Sequence, residues 1–300
     1  MGIVQGKSVQ HRLWAAHSML WAFIVFSTYP FLRCFLLSIS DSNYYDNLTL
    51  IPKLSLDHWR AALGVPYIDW TGHWVPGRDT VWRWLWNSIK VAGVATVLAG
   101  LFALTTAYAF ARFRFHGRKT LDNGLFIAQM FPGVLMTVGL FTLFNRAGDL
   151  VSWLGIDQHP ALTLAYTGST AIALVWAFKG YFHTLPREIE EAAHVDGASH
   201  WQTFWHILLP LARPMILVML LFSGTGLMYE YPLASFMIYT SDKATISVGM
   251  MSFSTEVGGA MVSAVGDEAA AILLVSIPGT LGFFIAQRWI SETVGGGVKQ

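Results

Sequence analysis

The chain is poor in charge and in cysteine. Only 12% of its 300 residues are Asp, Glu, Lys or Arg, whereas an ordinary soluble domain has about 25%. The formal net charge is +1, which excludes the basic excess that nucleic-acid binding needs. The single cysteine, Cys34, lies in an apolar run, so a disulfide scaffold is excluded and a buried thiol is favoured over a nucleophile or a metal ligand.

Hydrophobic and aromatic residues take the place of the missing charge. Hydrophobic residues make up 54% of the chain, with 20 Phe and 13 Trp, a composition suited to lipid and its interfaces. A spanning helix needs about 20 mostly apolar residues. Such runs predict an all-α membrane protein, one domain over 1–300 with six transmembrane helices at about 13–37, 86–110, 124–144, 161–178, 207–229 and 269–286. The first run is too long for a signal peptide, so we interpret it as a retained anchor.

The distribution of Lys and Arg predicts which side of the membrane each loop faces. Six spans place both termini on one side. The segments on that side are richer in Lys and Arg than those on the other, and the loop 111–123 alone carries Arg112, Arg114, Arg118 and Lys119. Because basic loops tend to stay in the cytoplasm, both termini are predicted to be cytoplasmic.

The sequence lacks the patterns of nucleotide hydrolysis, metal binding and proton relay. The string closest to a phosphate-binding loop, 117–120, lacks its spacing and its second glycine, so this chain is not expected to hydrolyse ATP. Three histidines six residues apart, at 194, 200 and 206, do not share a helical face, so no metal site is expected. The few ionisable residues in the spans or at their ends count against a secondary carrier: Arg33, Lys90, Glu230 and Glu268.

The stretch 185–210 is the most informative part of the sequence. Pro186 suits the first turn of a helix, glutamates at 188, 190 and 191 complement the positive helix N-terminus, and Gly197 permits a left-handed stop. A second helix is predicted to run on to Pro210. Two short helices joined at a glycine would form an exposed projection, but the residues alone fit an ordinary charged surface loop equally well.

The same stretch carries a specific motif. Glu191-Ala192-Ala193, three residues, Gly197, nine residues and then Ile207-Leu208-Leu209-Pro210 match the EAA-x3-G-x9-I-x-L-P signature of the permeases of ATP-binding-cassette (ABC) importers. The chain resembles that family over nearly its whole length, most of all the smaller membrane subunit of maltose/maltodextrin importers. Further strings that support the resemblance are 57–64, 86–93, 107–112, 129–132, 286–289 and 295–299.

The resemblance implies a partnered transporter of the bacterial cytoplasmic (inner) membrane. The fold would be that of a type I ABC importer permease, six transmembrane helices with a cytoplasmic coupling loop at 185–210. The partners would be a larger permease subunit, two copies of a cytoplasmic ATPase, an external (periplasmic) sugar-binding protein and the lipid bilayer, with no nucleic acid. The chain would catalyse nothing and bind no cofactor or metal, because ATP and magnesium would be used by the ATPase.

The resemblance also gives expected roles to three sets of residues. The residues expected to couple the chain to the ATPase are Glu190, Glu191, Ala192, Ala193, Gly197, Ile207, Leu209 and Pro210. The tail expected at the ATPase interface is Gly295, Gly296, Gly297, Val298, Lys299 and Gln300. The loop expected to meet the binding protein contains Met251, Ser252, Phe253, Ser254, Thr255 and Glu256. Maltose or maltodextrin is the first expected sugar, and another oligosaccharide such as trehalose is the alternative. A self-contained channel or secondary carrier is the less favoured interpretation.

Overall fold

The computed structural model describes residues 7–41, 53–68, 74–77, 80–257, 260–263 and 265–295. Helices dominate these residues: α1 (Lys7–Ser38), α2 (Asp57–Leu63), α3 (Thr80–Arg112), α4 (Arg118–Met130), α5 (Gly133–Leu150), α6 (His159–Thr184), α7 (Glu188–Val195), α8 (His200–Thr203), α9 (Leu209–Met228), α10 (Pro232–Met237), α11 (Ile246–Met250) and α12 (Val265–Gly295). Short strands form two antiparallel pairs, β1 (Tyr67–Ile68) with β2 (Trp74–Val75) and β3 (Ser254–Val257) with β4 (Ala260–Ser263).

The long helices fall on the apolar runs of the sequence. Among the described residues, five helices are long and apolar enough to cross a membrane: Arg12–Ser38, Val81–Arg112, His159–Thr184, His200–Met228 and Val265–Gln287. A bent pair, α4 with α5, makes six if it counts as one span. Most of these helices extend beyond the apolar run that predicts them, because the polar residues at their ends continue the helix without adding hydropathy.

The run at 124–144 is not one continuous helix. The chain there forms α4 and α5, which are bent by 101° relative to each other. The break falls at Phe131 and Pro132, where Phe131 has extended backbone angles (φ −71°, ψ 131°). A residue before proline disfavours the α region, and proline has no N–H to donate to the preceding turn. Because the apolar composition continues across the break, composition alone does not reveal it.

The first helix of the stretch 185–210 is a short helix that ends before Gly197, as predicted. α7 begins at Glu188, so Pro186 precedes the helix and does not lie in its first turn. Asp196 closes α7, and Gly197 follows with a φ of 84°. This angle lies in the left-handed region that glycine tolerates best.

The second helix of this stretch is longer than predicted and does not stop at Pro210. α8, a π-helical turn (Phe204–Leu208) and α9 follow one another without interruption, so one helix runs from His200 to Met228. Pro210 falls directly after the π turn, where the regular i to i−4 hydrogen bonding of the helix is already interrupted. The stretch is therefore one short helix followed by the beginning of a spanning helix.

The chain divides into two compact units, and the larger comprises residues 80–252 and 275–300. In this unit α3 packs along α6 and α9. Ala99, Ala103 and Ala107 are fully buried at four-residue intervals on α3. At Gly100 an added Cβ would lie 2.6 Å from the side chain of Leu220 on α9. Small residues on one face of α3 therefore allow the close approach of helices that is usual in membranes.

The smaller unit comprises residues 1–79 and 253–274. Within it the thiol of Cys34 in α1 donates to the carbonyl of Ala269 in α12 over 3.7 Å. The buried His58 of α2 places its Nδ1 2.7 Å from a carboxylate oxygen of Asp267. Most of the described part of α1 is exposed, including large side chains such as Trp21. An apolar surface of this size is expected where lipid or another membrane subunit covers a helix.

Candidate coupling site

The turn after α7 has a backbone that requires glycine. The N–H of Gly197 donates to the carbonyl of His194 (3.0 Å), and the N–H of Ala198 donates to that of Ala193 (2.9 Å). These bonds satisfy carbonyls at the end of the helix, as in the usual glycine-terminated helix end. A Cβ on Gly197 would meet no atom within 4 Å. The positive φ, and not lack of space, is therefore the reason for glycine at this position.

The chain re-enters a helix directly after this turn. The hydroxyl of Ser199 accepts a hydrogen bond from the N–H of Gln202 (3.3 Å), and the N–H of Ser199 donates to the side-chain oxygen of Gln202 (2.8 Å). This reciprocal pair is a capping box, which fixes the start of a helix. Only the residues 196–199 thus separate α7 from the helix that continues through α9.

A buried ion pair attaches α7 to the end of α3. Nε of Arg112 lies 2.5 Å from a carboxylate oxygen of Glu190, and the two side chains are only 7% and 9% exposed. Nη2 of Arg112 also donates to the carbonyl of Leu185 (3.2 Å). The arginine therefore holds both the approach to α7 and its first turn. Buried charges are tolerated when they are paired and hydrogen-bonded in this way.

Aromatic side chains form the layer under the turn. The ring of Tyr108 on α3 stacks on Phe204 with centroids 4.8 Å apart, and its edge meets Phe113 at 5.3 Å. Phe113 in turn packs 5.1 Å from His200. The ring of His194 lies 4.4 Å from that of His200, and its Nδ1 is 2.8 Å from the carbonyl of Ala198. Because a carbonyl only accepts, Nδ1 of His194 carries the proton.

The predicted coupling residues of α7 and its turn divide into an outward set and an inward set. Glu191, Ala192 and Gly197 are exposed, whereas Glu190 and Ala193 are buried. Large apolar side chains flank the outward set: Val195 is 87% exposed and Trp201 62% exposed. We call these five outward residues the coupling surface: Glu191, Ala192, Val195, Gly197 and Trp201. Exposed apolar groups around a rigid turn are typical of a protein contact.

The remaining motif residues lie farther along the chain. Ile207 belongs to the π turn and is half-buried, Leu209 begins α9 and is half-buried, and Pro210 is exposed on α9. They shape the helix that leaves the turn and do not extend the coupling surface. Arg112 was visible in the sequence only as one member of a basic loop, since nothing in the sequence links it to a glutamate 78 positions away.

The predicted binding-protein loop and tail are described only in part. Met251 and Ser252 are exposed and Phe253 is half-buried, all three in a 3-10 turn. The backbones of Ser254, Thr255 and Glu256 belong to β3 and pair with β4. Gly295 is the last residue of α12. The other tail residues lie outside the described residues: Gly296, Gly297, Val298, Lys299 and Gln300.

A second polar cluster of the larger unit lies at the N-terminal end of α6, whereas α7 follows its C-terminal end. Asp157 has a φ of 59°, and its carboxylate accepts the backbone N–H groups of Tyr239 (3.1 Å) and Thr240 (3.0 Å) and the Thr240 hydroxyl (2.6 Å). Burial alone would raise the pKa of Asp157. The hydrogen bonds from Thr240 and Tyr239, with the charge of Lys243, outweigh burial and hold that pKa below its ordinary value. The carboxylate therefore fastens the segment 239–243 to the start of α6.

Comparison with known proteins agrees with the motif at the coupling surface. The family described as the binding-protein-dependent transport system inner membrane component matches residues 96–294. The chain belongs to this family. The chain is also similar to maltose/maltodextrin transport system permease proteins named MalG. The similarity covers the whole of this chain and the whole of each of those proteins. Those of Vibrio vulnificus (strain YJ016), Salmonella typhimurium (strain LT2) and Escherichia coli (strain K12) are 39%, 40% and 39% identical.

Solved structures show the same fold at low sequence identity. A chain of a bacterial ABC transporter involved in the import of the acidic polysaccharide alginate aligns with a TM-score of 0.77 at 18% identity, over 96% of this chain and 99% of that one. A chain of that kind of transporter in complex with an alginate-bound periplasmic protein aligns with a TM-score of 0.67 at 16% identity, over 95% and 96%. The all-α fold of an ABC importer permease is thus confirmed. As a family member the chain is a multi-pass inner-membrane transport subunit and not an enzyme.

Proposed function

We propose that the chain is the MalG-like permease subunit of an ATP-driven importer for maltose or maltodextrins. The observation that carries this proposal is identity of about 39% to MalG proteins over the full length of both chains. In the proposed assembly the chain forms the translocation path with a larger permease. A cytoplasmic ATPase, in two copies, hydrolyses ATP with magnesium, and an external binding protein delivers the sugar. The chain itself holds no nucleotide or metal.

The coupling surface is the proposed contact with the ATPase. A conformational change is driven only by a partner that binds the two states differently. In this proposal, closure of the ATPase moves α7 and the turn at Gly197. The ion pair of Arg112 and Glu190 carries that movement to α3, and the continuous helix from His200 carries it into the span that contains α9. Ala192 at the surface lets the partner approach the backbone closely.

The proposed orientation places the coupling surface and both termini in the cytoplasm. Arg112 contacts Leu185 and Glu190, so the basic loop after α3 and the coupling surface lie on one face of the larger unit. Basic loops favour the cytoplasmic side. With six spans over 1–300, both termini are then cytoplasmic. The tail 295–300 is proposed to meet the ATPase, and the segment 251–256 is proposed to meet the binding protein outside.

The test is reconstitution of the complete complex in liposomes with its binding protein. We expect maltose and maltotriose to stimulate ATP hydrolysis and to be taken up, whereas trehalose has little effect. Stimulation by trehalose and not by maltodextrins would reassign the sugar and leave the importer intact. Solute uptake by this chain alone, without ATPase or ATP, would overturn the importer itself in favour of a channel or carrier.

A further inference from the structure

The loop between α3 and α4, together with the first turn of α4, carries positive charge that the described chain does not neutralise. Two neighbouring cations are paired, Arg112 with Glu190 and Lys179 with Asp122 (2.6 Å). For Arg114 in this loop, and for Arg118 and Lys119 in the first turn of α4, no carboxylate of the described ranges lies within ion-pair distance. One guanidinium N–H of Arg118 donates to the carbonyl of Phe113 (3.3 Å), which leaves its other donors available.

Two of these cations border an open cavity of about 560 Å³. We call it the basic cavity; its polar lining consists of His116, Arg118, Lys119, Thr120 and Asp122. Both oxygens of Asp122 contact the ammonium of Lys179, at 2.6 and 2.7 Å, so its negative charge is compensated. What remains is a guanidinium, an ammonium, a hydroxyl and an imidazole. These are the donors that bind phosphate oxygens.

An apolar helix face leads away from the basic cavity. α4 runs antiparallel to α6, because Asp122 meets Lys179 and Phe126 packs 5.7 Å from Trp176. One turn beyond Phe126 on the same side of α4, Met130 is 70% exposed, and the neighbouring Ile127 is 67% exposed. Lys119 and Met130 are eleven residues apart, about three helical turns, and so share one face of α4, the face that also carries Phe126. Cationic donors therefore stand at one end of a 13-residue helix, about 20 Å long, whose other end carries exposed apolar side chains.

We propose that the basic cavity binds the phosphate of an anionic phospholipid, with an acyl chain along the exposed face of α4. A soluble phosphate would use the cationic donors but leave the apolar face without a role, whereas a phospholipid matches both. A cluster of basic residues beside a membrane helix attracts anionic lipid at about 1 kcal/mol per charge. The proposal concerns lipid and is independent of which sugar is carried.

The experiment uses the complete transporter in detergent with equal amounts of phosphatidylglycerol and phosphatidylcholine, and native mass spectrometry counts the lipids retained. We expect preferential retention of phosphatidylglycerol. The double variant Arg118→Gln/Lys119→Gln should lower that preference by about fivefold for each charge removed. The conservative pair Arg118→Lys/Lys119→Arg should keep it. If the double variant fails to assemble, each single variant is measured, with a loss of about fivefold expected.

The matched control is Arg146→Gln, which removes one exposed positive charge on α5 and should not change lipid retention. If this control loses as much lipid as Arg118→Gln alone does, the effect is one of net charge only, and the proposed site is overturned. So would unchanged retention in the double variant. Displacement of the lipid by inorganic phosphate would assign the cavity to a soluble anion instead. Retention of phosphatidylglycerol by the two permease subunits, but not by their complex with the ATPase, would show that the basic cavity is a contact with the ATPase.

Discussion

Removal of the Glu190 carboxylate is the sharpest test of how α7 is held. Glu190→Ala leaves the guanidinium of Arg112 buried, with the Leu185 carbonyl as the described acceptor that remains. Breaking a buried pair from one side costs about 3–5 kcal/mol, because an uncompensated charge stays behind. At about 1.4 kcal/mol per tenfold, local opening of α7 should become at least about 100-fold more frequent. The complex should still assemble, but less sugar should be taken up for each ATP hydrolysed.

Two measurements check this reasoning in the assembled complex. Amide hydrogen exchange over 190–196 should accelerate about 100-fold, and sugar uptake per ATP should fall in proteoliposomes. Glu188→Ala is the matched control, because Glu188 lies in the same turn and is exposed, so its loss should change little. The double variant Arg112→Met/Glu190→Met should restore slow exchange, since a buried apolar pair replaces the ion pair. If Glu190→Ala exchanges and couples like Glu188→Ala, the ion pair does not hold α7.

Three further predictions concern other parts of the chain. Gly197→Asp should cost about 1–2 kcal/mol through its left-handed backbone and abolish sugar-stimulated ATP hydrolysis while insertion is retained; normal uptake would contradict this. Because the pKa of Asp157 is lowered on folding, its contribution to stability is present above the ordinary pKa of an aspartate and is lost as the pH falls through the lowered value. In Asp157→Asn the melting temperature should therefore fall less steeply as the pH is lowered. A fall as steep as that of the unmodified protein would refute this prediction. Deletion of 295–300 should lower sugar-stimulated ATP hydrolysis in the reconstituted complex, and full stimulation would exclude a role for the tail.

Local signals in the sequence predicted the elements that depend on local chemistry. Gly197 was predicted to be left-handed because few residues other than glycine tolerate that region, and the structure confirms it. The long helices coincide with apolar runs, because a helix that crosses the hydrocarbon core of a bilayer must be mostly apolar along its whole length. The apolar run 124–144 does not predict the bend at Pro132, although a proline inside such a run favours a break in the helix. Composition treats the run as one helix because it averages over the break.

Contacts between distant parts of the chain could not be predicted in this way. The pairing of Arg112 with Glu190 depends on α3, α6 and α7 meeting in space, and the sequence offered each residue several other roles. Burial of Glu190 also changes the role expected of this residue. The sequence groups it with Glu191 as a contact for the ATPase, whereas the structure turns it inward to Arg112. Two adjacent glutamates of α7 thus have opposite surroundings, because successive residues of a helix point about 100° apart.

The coupling surface is connected to the bundle by two routes of different kinds. One is covalent, since the helix that begins at His200 continues to Met228. The other is the ion pair between Arg112 and Glu190, which fastens α7 to α3. Glu190→Ala cuts only the second route, so coupling should be reduced but not lost. Gly197→Asp distorts the turn where both routes begin, so coupling should be lost. If Glu190→Ala abolishes coupling as fully as Gly197→Asp does, the continuous helix transmits nothing, and movement reaches the bundle through α3 alone.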